Sequence, residues 1–220
     1  MNILITGGSG FIAGRLAKHF SVKFKKVLLV TRKKNLKLDL SENVEIKNID
    51  WDDQLNLEYL CNNIDIIFHT AGMNAKDCEK DPKKADTFNG FKTLELINSA
   101  IKKNVKKFIF LSTAHVYSNP LIGIINEDTK VTNLHPYATS NILAENFLSQ
   151  NISNSKIKGY IFRLSNVYGV PINVKSDCWN LAVQDICHQA IINKKIILNT
   201  NGSQKRDFLP MESLCNFFEK

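Results

Sequence analysis

Along most of the chain, short runs of apolar and β-branched residues alternate with stretches whose apolar positions recur every three or four residues. The short runs predict strands at Asn2–Thr6, Lys26–Thr31, Val44–Ile46, Ile64–His69, Lys107–Ser112, Gly159–Leu164 and Lys195–Leu198. Between the first two, Ile12, Leu16 and Phe20 fall on one face of a helix. Ala85, Phe88, Phe91, Leu94, Ile97 and Ile101 do the same behind the breaker Asp81-Pro82. Pro136 suits the first turn of a further helix reaching about Gln150, and Glu212–Glu219 is helix-like. Strands that are apolar on both sides need cover on both faces. The alternation therefore predicts an α/β fold, a parallel sheet between two helical layers. Near Tyr168 the rhythm gives way to irregular sequence, which places a main domain at 1–168 and a smaller lobe, interleaved with the last strands, at 169–220.

The first strand runs directly into TGGSGFIAG, and a helix follows. Strand, glycine-rich turn and helix in that order suit a dinucleotide's diphosphate. Gly7 allows the tight turn, Gly10 lets backbone approach a phosphate, and the helix start at Phe11 and Ile12 offers free N–H groups. About 20 residues on, where an acidic side chain would bond the 2′-hydroxyl of NAD, stands Thr31-Arg32-Lys33-Lys34. A hydroxyl and a guanidinium suit a 2′-phosphate, so NADP(H) is expected over NAD(H).

Composition narrows the partners. The 220 residues carry a net charge of +8, yet the lysines lie in scattered pairs such as Lys33-Lys34 and Lys106-Lys107. An anionic small molecule is expected, and nucleic acid is not. The five cysteines include no C-x-x-C pair, which predicts neither a metal site nor a disulfide framework. Apolar runs of five or six residues are too short for a membrane span, and no leader pattern precedes the first strand, so a cytoplasmic protein without membrane contact is expected.

Seven ordered motifs together resemble the extended short-chain dehydrogenase/reductases, the nucleotide-sugar epimerase/dehydratase family. TGGSGFIAG resembles its cofactor turn, with Ala13-Gly14 where the third glycine falls. Asp50-Trp51 stands where the family approaches the adenine, and IDIIFHTAG resembles the strand whose end, Thr70-Ala71-Gly72, passes beneath the cofactor. Asn89 opens a segment similar to N-x-x-G-T, with Lys92 in place of its glycine. LSTAHVYS resembles the strand end bearing the catalytic hydroxyl, which maps onto Thr113 with Ser112 beside it. HPYATSNILAE resembles the Y-x-x-x-K helix, matched at Tyr137. RLSNVYGVP, with Asn166, resembles the segment that packs against the nicotinamide and leads to the substrate lobe, and the R-D-F segment, with Arg206, the part that faces the substrate.

The resemblance implies a Rossmann-type doubly wound parallel sheet with a small, truncated C-terminal substrate lobe. It implies an NAD(P)-dependent epimerase, dehydratase or reductase acting on a nucleotide-activated sugar in polysaccharide synthesis. Helices near Asn89–Lys103 and Pro136–Gln150 would pair two copies into a homodimer. Tyr137 is the implied acid/base, Thr113 holds the sugar oxygen, Asn166 and Arg206 meet the substrate, and Arg206 faces its diphosphate.

One departure bears on the chemistry. The lysine that follows the tyrosine by one helical turn is Asn141 here, able to bond a ribose hydroxyl but bringing no charge. A free phenol titrates near 10, and each pKa unit is about 1.4 kcal/mol, so losing two or three units of assistance costs roughly 3–4 kcal/mol of base strength. A helix N-terminus, the oxidised nicotinamide, His115 or His135 could supply part of it. Two readings stand: a working or weakened enzyme, or a cofactor-binding protein without turnover. His69 is expected to be structural, and Tyr117, Tyr168, Cys178 and Cys187 to pack.

Overall fold

The computed structural model describes residues 1–220 except Asn154, Asn199 and Lys220. Six strands, β1 (Asn2–Thr6), β2 (Lys26–Thr31), β3 (Val44–Asn48), β4 (Ile66–His69), β5 (Lys107–Thr113) and β6 (Lys158–Leu164), form one sheet in the order β3-β2-β1-β4-β5-β6. Every pairing is parallel. The order reverses direction between β1 and β4, and such a switch point leaves a crevice beyond the strands' carboxyl ends.

Alternation along these strands explains the two helical layers. Leu4, Leu28, Val30, Ile67, Phe108 and Phe110 point into one buried cluster. It is covered by α2 (Gln54–Leu60), α5 (Lys92–Lys102) and α6 (Pro136–Ile152). Ile3, Ile5, Val27, Leu29, Ile66, Phe68 and Ile109 point the opposite way, beneath α1 (Phe11–Phe20) and α8 (Met211–Phe218). Phe68 sits between Phe20 and Phe218, with ring centroids 5.0 and 5.4 Å away. Residues 211–218 thus share a core with the first helix.

Some elements differ from the sequence expectation. The long helix expected from Ala85 is composite. The short α4 (Pro82–Ala85) passes through a π-helical turn, Asp86–Phe91, into α5. The wider turn carries Asn89 inward and brings Gly90 against α6, where an added Cβ would lie 2.5 Å from Leu143 Cδ2. The strand expected at Lys195–Leu198 is absent: this stretch is irregular, and Ile196, Ile197 and Leu198 are about half exposed. Its backbone bonds to a side chain instead of a neighbouring strand, with Ile197 N–H donating to Gln189 Oε1 at 2.8 Å. Periodicity also missed α2, capped by Asp53, and α3 (Ala75–Lys80), capped by Asn74. It missed α7 (Ala182–His188) and a parallel pair, β7 (Asn166–Tyr168) and β8 (Phe208–Pro210), as well.

At the switch point, β1 and β4 are joined by a chain of buried polar groups. Thr6 Oγ1 accepts N–H bonds from Thr70 and Ala71, both at 3.1 Å, and lies 2.8 Å from His69 Nδ1. With two donors already aimed at that oxygen, its own hydrogen goes to Nδ1. The ring proton then sits on Nε2 and is donated to Thr93 Oγ1 at 2.8 Å, which passes its hydrogen to Asn89 O at 2.6 Å. This tautomer follows from the network. Thr70 Oγ1 closes the arrangement by donating to Thr6 O at 2.6 Å.

His69 is therefore the structural residue expected, and burial pushes its pKa down to about 3. Unfolded, the ring takes up a proton below its ordinary value of about 6.5; folded, it resists until about 3. The unfolded state binds more protons across that window, so stability falls as pH drops through it. His69→Gln keeps a donor and an acceptor but cannot titrate. Between pH 6.5 and 5 its unfolding temperature should change less than the wild type's, as calorimetry at each pH would show.

Candidate active site

The glycine turn closes as expected. Gly7 adopts φ +79°, and an added Cβ would lie 2.9 Å from Thr70 Oγ1 and 3.1 Å from Ala71 N. Gly10 N–H donates to Gly7 O at 2.7 Å, and Gly10 caps α1 with no side chain over the helix start. The first N–H groups of α1 therefore face the crevice free of side-chain capping, and the backbone comes close where a Cβ would intrude. That cradle fits a dinucleotide's diphosphate. Ala13 is buried in the core, and the close approach falls to Gly14, whose Cβ would meet Ile172 at 3.3 Å.

On the β2–β3 side lies a crevice of about 660 Å³ lined by Arg32, Lys34, Asp50, Trp51, Asp52, Phe88 and Lys92 among others. Arg32 stacks on the Phe88 ring, 4.5 Å from its centroid. Thr31 is buried, and its hydroxyl accepts from Lys33 N at 3.1 Å, so it shapes the turn. The Trp51 ring is buried against His69 and Phe88. Asp50 is exposed, its carboxylate accepting from Asp52 N. Lys92, where the family has glycine, is held by Asp52 and Glu95.

A second cavity, of about 340 Å³, opens on the other side of the glycine turn. Phe11, Ile12, Thr70, Ser112, Thr113, Tyr137 and Asn166 all line it, as does His115. Tyr137 stands on the first turn of α6, whose N-cap is His135, with Nδ1 accepting from Tyr137 N at 3.1 Å. Thr113 ends β5, and its Oγ1 accepts from His115 N at 3.2 Å. That bond uses one lone pair and leaves the hydroxyl hydrogen for a neighbour. Asn133 ties the two parts together, donating to His115 O at 2.6 Å and accepting from His135 N at 2.9 Å.

Electrostatics here run against easy deprotonation. Burial raises the Tyr137 phenol above its usual value, and a hydrogen bond with Thr113 offsets part of the rise. Burial, followed by the charges of Arg206 and His135, lowers His115, which keeps its imidazole neutral near pH 7. Arg206 is itself exposed, and its Nη2 donates to Gln204 Oε1 at 3.4 Å.

Several expected contacts are spent on the scaffold. Asn141, expected at the ribose, donates from Nδ2 to Tyr137 O at 2.7 Å, because so short a side chain on a helix reaches the carbonyl one turn back. Asn89 is buried, accepts from Met73 N at 2.7 Å and donates to Ser140 Oγ at 3.0 Å. It fixes the loop after β4, beside Gly72, against α6. Ser112 donates to Glu145 Oε1 at 2.5 Å, and Glu145 is gripped by Arg163 through both Nε and Nη2, which holds the end of β5 on α6. Asn166 donates to Asp207 O at 3.0 Å. Gln184, Leu181 and Phe208 also line the cavity and were not anticipated, since nothing in their local spacing marks them.

Known proteins resemble this chain over nearly its whole length. The dTDP-D-glucose 4,6-dehydratase of Mus musculus is 29% identical over 219 residues, 94% of this chain and 60% of that protein. The ADP-L-glycero-D-manno-heptose-6-epimerase of Brachyspira hyodysenteriae is 27% identical over 229 residues, 98% of this chain and 71% of that one. The solved UDP-N-acetylglucosamine 4-epimerase from Methanobrevibacter ruminantium M1, in complex with UDP-N-acetylmuramic acid, superposes with a TM-score of 0.85 at 25% identity, covering 98% of this chain and 70% of that one. The chain spans about 60% of the length of the mammalian dehydratases it matches. The family described as NAD dependent epimerase/dehydratase matches residues 3–218, and to that family the chain belongs.

Proposed function

We propose that the protein is an NAD(P)-dependent epimerase or dehydratase acting on the sugar of a nucleotide-activated sugar. One observation carries the reading: Tyr137 and Thr113 face the same cavity as Phe11, Ile12 and Thr70 of the diphosphate cradle. When bound, the cofactor supplies a hydride acceptor at the sugar carbon. The glycine turn and the start of α1 hold its diphosphate. Thr113 donates its hydroxyl hydrogen to the reacting sugar oxygen, and Tyr137 takes that oxygen's proton. The His115 imidazole, neutral near pH 7 with its ring centroid 6.5 Å from that of the phenol, takes the proton onward through water, where a lysine would have acted by charge.

Tyr137→Phe should lower kcat by roughly 10²–10⁴-fold, the usual worth of a positioned acid or base, and leave cofactor affinity intact. UDP-glucose and dTDP-glucose are the first substrates to assay, with keto-sugar formation as the readout. Asn141→Lys should raise turnover and move the ascending limb of the pH profile to lower pH, since a cation beside the phenol favours its ionised form.

A second reading, cofactor binding without turnover, draws on the inward fold of Asn141 and on the raised phenol pKa. It requires that neither the wild type nor Asn141→Lys turn over any nucleotide sugar while both bind the cofactor.

The same proposal takes NADP(H) in preference to NAD(H), supported by Arg32 and Lys34 at the end of β2. Arg32→Ala should weaken NADP⁺ binding by ~10- to 100-fold, the worth of a hydrogen bond to a charged group, and barely change NAD⁺ binding. Calorimetric titration with both cofactors checks it. A reducing, cytoplasmic setting suits the five free cysteines, four of them buried. A homodimer through the helices near Asn89–Lys103 and Pro136–Gln150 is supported by Phe91, 49% exposed and 5.4 Å from the Phe147 ring. Phe91→Glu should then shift the mass measured by light scattering from dimer to monomer.

A further inference from the structure

Asn173 stands far from the glycine turn along the chain and reaches it in the fold. It is buried, and its Nδ2 donates to Ser9 O at 2.8 Å across a separation of 164 residues. Its neighbours hold that amide in place. Its Oδ1 accepts from Lys175 N at 3.1 Å, and its carbonyl accepts from Ser176 N at 2.9 Å. Ile172, beside it, lies where a Cβ on Gly14 of α1 would meet it at 3.3 Å.

Ser9 O belongs to a peptide plane that is bonded at both ends. The N–H of the same plane, on Gly10, donates to Gly7 O at 2.7 Å and closes the turn. A trans peptide points its C=O and its N–H in opposite directions. Rotating this plane would break both bonds at once and bring Ser9 O round towards Gly7 O, a second negative end inside the turn. Gly10 O is engaged as well, accepting from Gly14 N at 3.3 Å. The carbonyls of Gly7, Ser9 and Gly10 are thus all occupied by donors within the protein, which keeps their negative ends off an anion beside the free N–H groups of α1. Of these three bonds, only the one to Ser9 comes from a side chain distant in sequence.

We infer that Asn173 is a positioning residue for the cofactor: its amide holds the Ser9–Gly10 peptide in the orientation that a bound diphosphate needs. It acts through the backbone of Ser9. The inference rests on the cofactor-binding reading above and adds the long-range contact that keeps the cradle set. Without the amide the turn is shared between two orientations, and affinity falls in proportion to the fraction of molecules left in the competent one.

Asn173→Asp tests this, because it keeps the shape and the oxygen that accepts from Lys175 N and exchanges only the donor. An ionised carboxylate facing Ser9 O repels it, whereas a protonated one donates to it as the amide does. Affinities of wild type, Asn173→Asp and Asn173→Ala for NAD⁺ and NADP⁺ are measured by calorimetric titration from pH 8 down to pH 4.5, together with the unfolding temperature of each free protein. At pH 8 both variants should bind the cofactors ~10- to 100-fold more weakly than wild type, as for a turn that is competent only part of the time. As the pH falls, Asn173→Asp should recover towards wild type. The midpoint should lie above the ordinary carboxyl value of about 3.9, since burial and the facing carbonyl disfavour the ionised form. Asn173→Ala has nothing to protonate and should not recover.

Wild-type affinity at pH 8 in either variant would overturn the inference, whatever the unfolding temperatures, by showing that the bond ties residues 172–176 to the glycine turn without setting it. Asn173→Ala decides this point alone if Asn173→Asp does not fold at pH 8. An Asn173→Asp that folds and stays as weak as Asn173→Ala at every pH would also refute it, since the loss would then owe nothing to the missing donor. Wild type that binds neither NAD⁺ nor NADP⁺ removes the cofactor-binding reading itself, and the inference with it.

Discussion

The crevice depends on a single hydroxyl. Thr6 Oγ1 receives N–H groups from Thr70 and Ala71 and gives its hydrogen to His69, so the ends of β1 and β4 are joined where the strand order reverses. Without that link the loop after β4 would carry two unpaired N–H groups beneath the diphosphate cradle. The loop's position also sets the space around Gly7, whose missing Cβ would strike Thr70 and Ala71. A neutral imidazole suits this place: it accepts on one side and donates on the other without bringing a charge that burial would penalise.

From this point rigidity spreads outward through side chains that carry no chemistry themselves. Thr93 hands the chain on to the backbone of Asn89, and the Asn89 amide fastens the loop after β4 to Ser140 on α6. Glu145, further along α6, is held between Ser112 and Arg163, and Arg163 in turn stacks on Tyr117. Asn133 then links the backbone of His115 to the cap of α6. The result is that Thr113 and Tyr137, from a strand end and a helix start, face one cavity with few degrees of freedom left between them.

The same burial that orders the site opposes its chemistry. Low dielectric raises the Tyr137 phenol and disfavours the phenolate. Asn141 turns to its own helix and supplies nothing to reverse this. Arg206 is exposed, and His115, in the cavity wall, is held neutral by its own burial and by Arg206.

Local order was legible in the chain. Two-sided apolar strands separated by amphipathic helices dictate a covered parallel sheet, and a glycine sequence between the first strand and helix dictates the tight turn found there; both depend on neighbours a few residues apart. Thr113 and Tyr137 were singled out by family resemblance alone, and the fold brings both to one cavity. Long-range packing decided the rest. Lys195–Leu198 has strand-like residues, but no ladder meets it and Gln189 holds it. Asn89 and Asn141 look free to meet a cofactor until the fold places a backbone N–H or carbonyl within their reach. Gln184 carries no local signal, because only the tertiary structure buries its amide away from any partner among the described residues. A side chain's hydrogen-bonding capacity is written in its residue type; whether that capacity is spent inside the fold or left for a ligand depends on which atoms the tertiary structure brings to it.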